Sequence, residues 1–529
     1  MKNKYNKHIS NLILPCLVFS VATGFFAALI TITFKILAEL IIHISASVYD
    51  AVRANPILLP LLILGAAAIG LAESIILSKS HSCRGGGIPT SVAAICGIFS
   101  FKWVKTILLL PVSALLTFLS GLPLGTEGPC VQMGTAVGDG VVKCFGGEKN
   151  RGWRRYIMTG GASAGFSIAT SSPISAIIFS MEEIHKHFSP LLLSVVSVSV
   201  VTAQLTARVF AALGIGATGL FGLPEIEAIP LRLFFAPVAI GIVAGAASIL
   251  FTRLFRLVDR TMRIALKRLS SKVVLPVLFA LVAIVGFFFA DALGTGHSLV
   301  DTLLNGRYAW YLLILLFLIR AIGTIVSNTS GATGGIFLPT LAFGAILGSL
   351  MAEVMIALGL IGTEHYTVMV VLGITAFLGA TSRIPLTAAV FAIEALSGIN
   401  NIIPLIIATT ASMLIVESAR IEDLTDAVIN AKAHRITKGK VSVDVEAALT
   451  VRSDAFVVGK ELRDVLWPNS CVVLSFEHKD HSKAHSIISE GDVITVHYAT
   501  YDLDATLEEL NALVGEQSRD IIKILSEAH

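Results

Sequence analysis

The chain has 529 residues, of which 55% are hydrophobic and only 14% charged, and its formal net charge is +3. With a mean hydropathy of +0.82, lipid is the solvent for most of it, which excludes an ordinary soluble globular protein. So small a net charge gives no sign of a nucleic-acid partner.

The basic start "MKNKYNKH" leads into the apolar stretch 12–34. That stretch is too long for a signal-peptide core and has no clear small-residue cleavage site, so it is expected to remain as a first span. Further stretches at 57–77 and 233–251 reach the roughly 20 residues a spanning helix needs. Other apolar runs are shorter and broken by Gly or Pro. Basic residues at the N-terminus and after residue 251 predict that both termini face the cytoplasm. Arg253, Arg256, Arg260, Arg263 and Lys267 recur at helical spacing and read as a basic helix end rather than a voltage sensor, because Asp259 interrupts them.

Three breaks in the apolar pattern carry the chemistry: "RGGGIP" (84–89), "GTEGP" (125–129) and "GGIFLP" (334–339). Each sets Gly ahead of Pro where a helix should begin. Gly lets backbone approach a ligand, and Pro suits a first helical turn whose N–H has no partner in any case. The free N–H groups and the positive end of the helix dipole then favour an anion. Glu127 lies in the second break, where its carboxylate can occupy the anion's place and leave on protonation, acting as gate and proton carrier; the plainer alternative is a helix cap. Glu182 and Glu183, in "FSMEEIHKHF", end an apolar helix near water and point about 100° apart.

The breaks fall within an internal repeat. "PCVQMGTAVG" from Pro129 and "PTLAFGAILG" from Pro339 share P-x4-G-x3-G at an offset of 210, and "PISAIIFSME" from Pro173 matches "PLTAAVFAIE" from Pro385 at an offset of 212. The halves span about 10–225 and 230–430, and corresponding breaks should meet near the bilayer midplane. Glu394 answers Glu182 in this repeat and reads as structural.

Other patterns point elsewhere more weakly. "GASAG" (161–165) fits a nucleophile elbow at Ser163, but "WRRYIMTG" leads in like a helix, and small residues also pack helices closely. Glu182 with His185 gives a single Glu-x-x-His, short of a di-iron site. The six cysteines lack metal-ligand pairing and read as buried free thiols. Near residue 434 charges become frequent and strand-like alternation begins ("VSVDVEAALTV", "DVITVHYAT"), predicting a soluble α+β domain over 434–529 after a membrane domain over 1–433. In that domain His478, His481 and His485 read as a solvated loop rather than a metal site.

The motifs in this order resemble the CLC family of chloride channels and proton-coupled chloride exchangers, through "GGGIP", "GTEGP", "GGIFLP", "TGGASAGFSIATSSPISAIIFSMEEI" and "GATSRIPLTAAVFAIEAL". The resemblance implies an all-α polytopic membrane protein with an inverted repeat of tilted, partly re-entrant helices, forming a homodimer in a bacterial inner membrane. It implies exchange of chloride or another small anion for protons, with no cofactor and no enzymatic reaction. Glu127 matches the gating glutamate and Glu183 the inner proton-transfer glutamate, while backbone groups of Gly87, Ile88, Ile336 and Phe337 would hold the anion. Three positions depart from the family: Gly86 replaces an anion-coordinating serine, Thr126 a basic residue, and Thr425 a tyrosine at the inner side of the anion site. Those losses bear on anion preference and coupling, and a passive anion channel of the same fold is the rival reading. The segments "FVVGKELRDVLWPNSCVVLSF" and "ISEGDVITVHYATYDLDATLEELNALVG" resemble the C-terminal subdomain of regulator-of-potassium-conductance modules, implying a regulatory or dimer-stabilising role.

Overall fold

A computed structural model describes residues 14–85, 87–98, 101–146, 152–215, 220–221, 226–436, 442–453, 455–468, 471–478, 487–500, 503–515 and 522–528. The first half forms α1 (Leu14–Ala54), α2 (Leu59–Lys79), α3 (Ile88–Ile95), α4 (Trp103–Leu119), α5 (Glu127–Val141), α6 (Arg154–Thr170), α7 (Pro173–Phe179) and α8 (Pro190–Ala212). The second half runs through the same series as α9 (Phe235–Arg268), α10 (Ser271–Phe288), α11 (His297–Asn305), α12 (Trp310–Ser330), α13 (Phe337–Ala357), α14 (Tyr366–Ser382), α15 (Pro385–Ala395) and α16 (Ile402–Ser418), and α17 (Leu424–Ile436) follows.

Among the described residues, nine helices are long and apolar enough to cross a membrane. The 8 residues of α3, 7 of α7, 9 of α11 and 11 of α15 rise only about 10 to 17 Å at 1.5 Å per residue. They cannot cross a hydrocarbon core about 30 Å thick. Of these, α3 is buried along its whole length, and the first N–H groups of α7 and α15 find carboxylate acceptors within the protein, so their starts are satisfied without water.

The repeat explains the glycine spacing. Gly134 and Gly138 of α5 press on the backbone of Gly161 and Ile157 in α6, and Gly344 and Gly348 of α13 press on Gly373 and Met369 in α14. A Cβ on Gly344 would fall 2.7 Å from Gly373 O and one on Gly348 2.5 Å from Met369 O, so P-x4-G-x3-G records two backbone-to-backbone helix contacts per half. Ser163 lies buried within α6, between two glycines that press on α5, with no preceding strand. Its motif is helix packing.

Repeat partners also meet each other. Gly125 N donates to Gly335 O at 2.7 Å, and Gly335 N to Gly125 O at 2.8 Å, as an antiparallel bridge between positions 210 apart. Glu182 accepts from Leu386 N (3.0 Å) and Thr387 N (2.7 Å) at the start of α15, and Glu394 accepts from Ile174 N (2.9 Å) and Ser175 N (2.8 Å) at the start of α7. Each contact is returned by its repeat copy, the mark of a two-fold relation. Chain direction reverses across the Gly125–Gly335 bridge, as a two-fold between the halves requires.

Beyond α17 the chain forms β1 (Ser442–Thr450), β2 (Val472–Glu477), β3 (Val493–Thr500), α18 (Leu503–Val514) and β4 (Ile522–Ala528). The strands pair antiparallel in the order β2-β3-β1-β4. Ile494, Val496 and Tyr498 alternate inward from β3 and pack with Val445, Ala447 and Leu449 of β1 and with Leu510 and Val514 of α18. The segment between β1 and β2 contacts the membrane helices. Phe456 meets Trp153 edge-on at 5.2 Å, Leu466 N donates to Tyr156 Oη at 3.1 Å, and Ser189 Oγ donates to Asp464 Oδ1 at 3.1 Å.

All six cysteines are free, but Cys144 is exposed and only Cys16, Cys83 and Cys130 are fully buried. The expectation of buried thiols therefore holds for half of them. The basic stripe lies on α9, where Arg263 pairs with Asp259 at 3.0 Å. His478 Nδ1 lies 3.0 Å from Asp492 Oδ2; His481 and His485 lie outside the described residues.

Candidate functional site

The three breaks converge. A Cβ on Gly128 would lie 2.7 Å from Gly335 Cα and 2.9 Å from Gly87 Cα, and one on Gly87 would lie 3.0 Å from Gly128 Cα. One glycine from each break thus packs backbone to backbone, and any side chain there would separate the helix starts. Gly87 also has φ +136°, a conformation open to glycine.

Below this meeting point lies a narrow cavity of about 20 Å³, lined by Ile88, Pro89, Phe179, Glu183, Asn328, Gly334, Gly335, Ile336, Phe337, Thr340, Ser382, Ile384, Leu424 and Thr425. A volume of this size suits about one water-sized occupant. The N-terminal ends of α3 and α13 reach it, since Ile88 and Phe337 are their first residues and Ile336 precedes α13. Phe337 is held edge-on by Phe166 at 5.1 Å and Phe391 at 5.6 Å. The helix starts bring the positive ends of two dipoles to a cavity lined by apolar side chains together with Glu183, Asn328, Thr340, Ser382 and Thr425.

Of the residues read from the sequence, Ile88, Ile336, Phe337, Glu183 and Thr425 line this one cavity. Thr425 Oγ1 donates its hydrogen bond to Glu183 Oε1. Gly87 adjoins the cavity wall, but its N–H is taken by Gln132 Oε1 at 2.9 Å. Gly86 lies outside the described residues. Glu127 is fully buried at the start of α5 and does not line the cavity. Its carboxylate is held beside the breaks, where Thr126 Oγ1 donates to its Oε1 at 3.2 Å. A Cβ on Gly125 would fall 2.5 Å from Glu127 Oε2, so Gly125 makes room for the carboxylate.

Three residues were missed. Gln132, inside "PCVQMG", clasps the first break by accepting from Gly87 N and donating through Nε2 to Ser82 O at 2.8 Å. Glu73, fully buried in α2, accepts from Thr333 N (2.8 Å), Thr117 Oγ1 (3.1 Å) and Ser113 Oγ (3.3 Å) through its Oε1. Thr333 in turn donates to Cys83 O at 3.0 Å, so Glu73 braces the first break against the third. A lone acid inside an apolar span is itself a signal, and it was available in "GLAESIIL". Asn328 is the third, on the last turn of α12, and it lines the cavity.

Two inverted halves, four half-depth helices and helix starts meeting at a buried cavity define a polytopic membrane protein of the inverted-repeat transport class. The chain belongs to the voltage gated chloride channel (CLC) family, which it matches over residues 65–417. It is 28% identical over 365 residues to the H(+)/Cl(-) exchange transporter ClcA of Vibrio campbellii, covering 68% of this chain and 77% of that protein. It is also 28% identical over 371 residues to ClcA of Yersinia pestis bv. Antiqua, covering 68% and 75%. Among solved structures, a slow cyanobacterial Cl−/H+ antiporter superposes with a TM-score of 0.71 at 22% identity, over 79% of this chain and 98% of that one. A CLC-type fluoride/proton antiporter superposes with a TM-score of 0.64 at 19% identity, over 77% and 96%. These likenesses show the fold.

Proposed function

We propose that the protein exchanges chloride, or another small anion, for protons across a membrane, with Glu127 as gate and Glu183 as the inner proton carrier. One observation carries this reading: a buried carboxylate, Glu183, lines the same narrow cavity as the starts of α3 and α13. A passive pore has no use for an acid whose burial is so costly. The ClcA relatives carry the name of H(+)/Cl(-) exchangers, which supports exchange over a channel.

The proposed cycle turns on Glu127. With Glu127 ionised, its carboxylate fills the space against Gly125 and competes with an anion arriving at the breaks. Two unit charges about 4 Å apart repel by about 4 kcal/mol at an effective dielectric near 20, so carboxylate and anion exclude each other unless a proton is taken up. Protonated, Glu127 leaves and the anion passes. Glu183 receives and releases protons at the other end, where Thr425 steadies its carboxylate.

In this reading the membrane domain covers 1–433 and the domain over 434–529 is a module of the regulator-of-potassium-conductance C-terminal type that stabilises or regulates a homodimer. The protein sits in a bacterial inner membrane with both termini cytoplasmic. The deciding experiment follows proton movement in vesicles holding the purified protein, with a chloride gradient and no initial pH gradient. Uphill proton movement opposite to the anion flux, lost in Glu127→Gln and in Glu183→Ala while the latter still passes anions, is the expected result. Anion flux without proton movement in the unaltered protein overturns exchange and leaves a channel.

A further inference from the structure

Resting on the anion-transport reading, we infer that the side-chain amide of Asn328 is a direct ligand of the transported anion and takes over the side-chain donor role for which neither Gly86 nor Thr425 has a free hydroxyl.

The cavity has few polar side chains, and most are committed. Thr340 Oγ1 donates to Phe337 O at 2.5 Å. Thr425 Oγ1 donates to Glu183. Glu183 is an acceptor when ionised and repels an anion. Ser382 keeps a free hydroxyl but is only partly buried, toward the edge of the cavity. Asn328 remains, 8% exposed and lining the cavity; its backbone carbonyl accepts from Gly331 N at 3.1 Å, while its side-chain amide is bonded to no described residue. A side-chain amide that lines the cavity without a protein partner has its two N–H groups available to whatever occupies the cavity.

An amide is a suitable donor here. It adds two N–H groups to the backbone amides at the start of α13, and it adds no charge. A full cation would hold the anion too tightly to release it, whereas a neutral donor leaves binding shallow enough for turnover. Chloride and nitrate accept such bonds well, and thiocyanate, weakly hydrated, depends on them less.

The test uses the full-length protein with Asn328→Leu, close in shape but without a donor, and Asn328→Ala in case the larger apolar group disturbs folding. Chloride binding is titrated by calorimetry, and chloride and thiocyanate fluxes are compared in vesicles. Losing one hydrogen bond to a charged group weakens binding about 10-fold or more. Both variants are expected to show that loss, with chloride flux falling further than thiocyanate flux. A folded variant that binds chloride as the unaltered protein does, or loses both fluxes equally, overturns the assignment. If the unaltered protein binds chloride but moves no protons, exchange fails while the Asn328 comparison still decides. If it binds no chloride, both readings fall.

Discussion

Gly335→Ala tests the point where the three breaks meet. The added Cβ would stand 2.7 Å from Gly128 N and 3.0 Å from Gly128 Cα, where ordinary contact needs about 3.4 Å or more. The obstacles are backbone atoms, which cannot rotate aside, so the starts of α5 and α13 must part by roughly 0.5 to 1 Å; overpacking of this kind costs about 1 to 3 kcal/mol. Gly335 is not among the positive-φ residues, so the cost is steric alone. The functional loss should match the upper end of that range, because displacing oriented groups by about 1 Å costs on the order of a hundredfold in rate. Anion flux in vesicles should fall by about that factor and the thermal midpoint should drop. Gly65→Ala is the control: nothing lies within 4 Å of its Cβ, and in the helix interior Ala gains up to about 1 kcal/mol. Gly335→Ala with unaltered flux and midpoint would refute the backbone convergence.

Glu182→Ala and Glu394→Ala each leave two backbone N–H groups of a helix start without an acceptor, at about 2 kcal/mol apiece. The backbone contacts are two-fold copies, and Glu182 also accepts from Thr387 Oγ1 at 2.7 Å, so both thermal midpoints should fall, that of Glu182→Ala by slightly more; one neutral variant would break the symmetry argument. In the C-terminal domain, burial between Phe456 and Trp153 pulls the Lys460 ammonium down to about 7. Its folded value thus lies below the unfolded value near 10.4, the cost of burying the charge is full below pH 7, and stability rises as pH climbs from about 7 to about 10.4. Lys460→Met should flatten that rise in melts from pH 6 to 10, and an unchanged slope would count against it.

The fold was legible wherever local pattern sufficed. Span length gave the long helices, period-two alternation gave β3, and P-x4-G-x3-G at a fixed offset gave the repeat. The breaks announced themselves because Gly and Pro punctuate an apolar background. What escaped were residues whose role depends on a distant partner. Glu73 matters through Thr333, Gln132 through Gly87, and Phe456 through Trp153, pairs separated by 260, 45 and 303 positions in the sequence. No periodicity within one segment encodes such a contact.

The repeat separates building residues from those to which the proposed exchange assigns a role. Glu182 and Glu394 are copies, and each caps the helix start of the opposite half; Phe179 and Phe391 are copies beside the cavity. Such contacts are doubled by a two-fold relation at no added complexity. Glu183 is different, since its counterpart 212 positions on is Ala395, and the counterpart of Glu127 at offset 210 is Phe337. A symmetric pathway would carry a carboxylate at both ends of equal character and could give protons no distinct inner and outer stations. The division is visible within one dipeptide: Glu182 bonds to α15 while its neighbour Glu183 turns into the cavity, on a stretch, Ser180–His185, wound as a π-helix, a local irregularity often found at functional sites. Asn328, whose counterpart is Phe118, falls with the residues assigned a role.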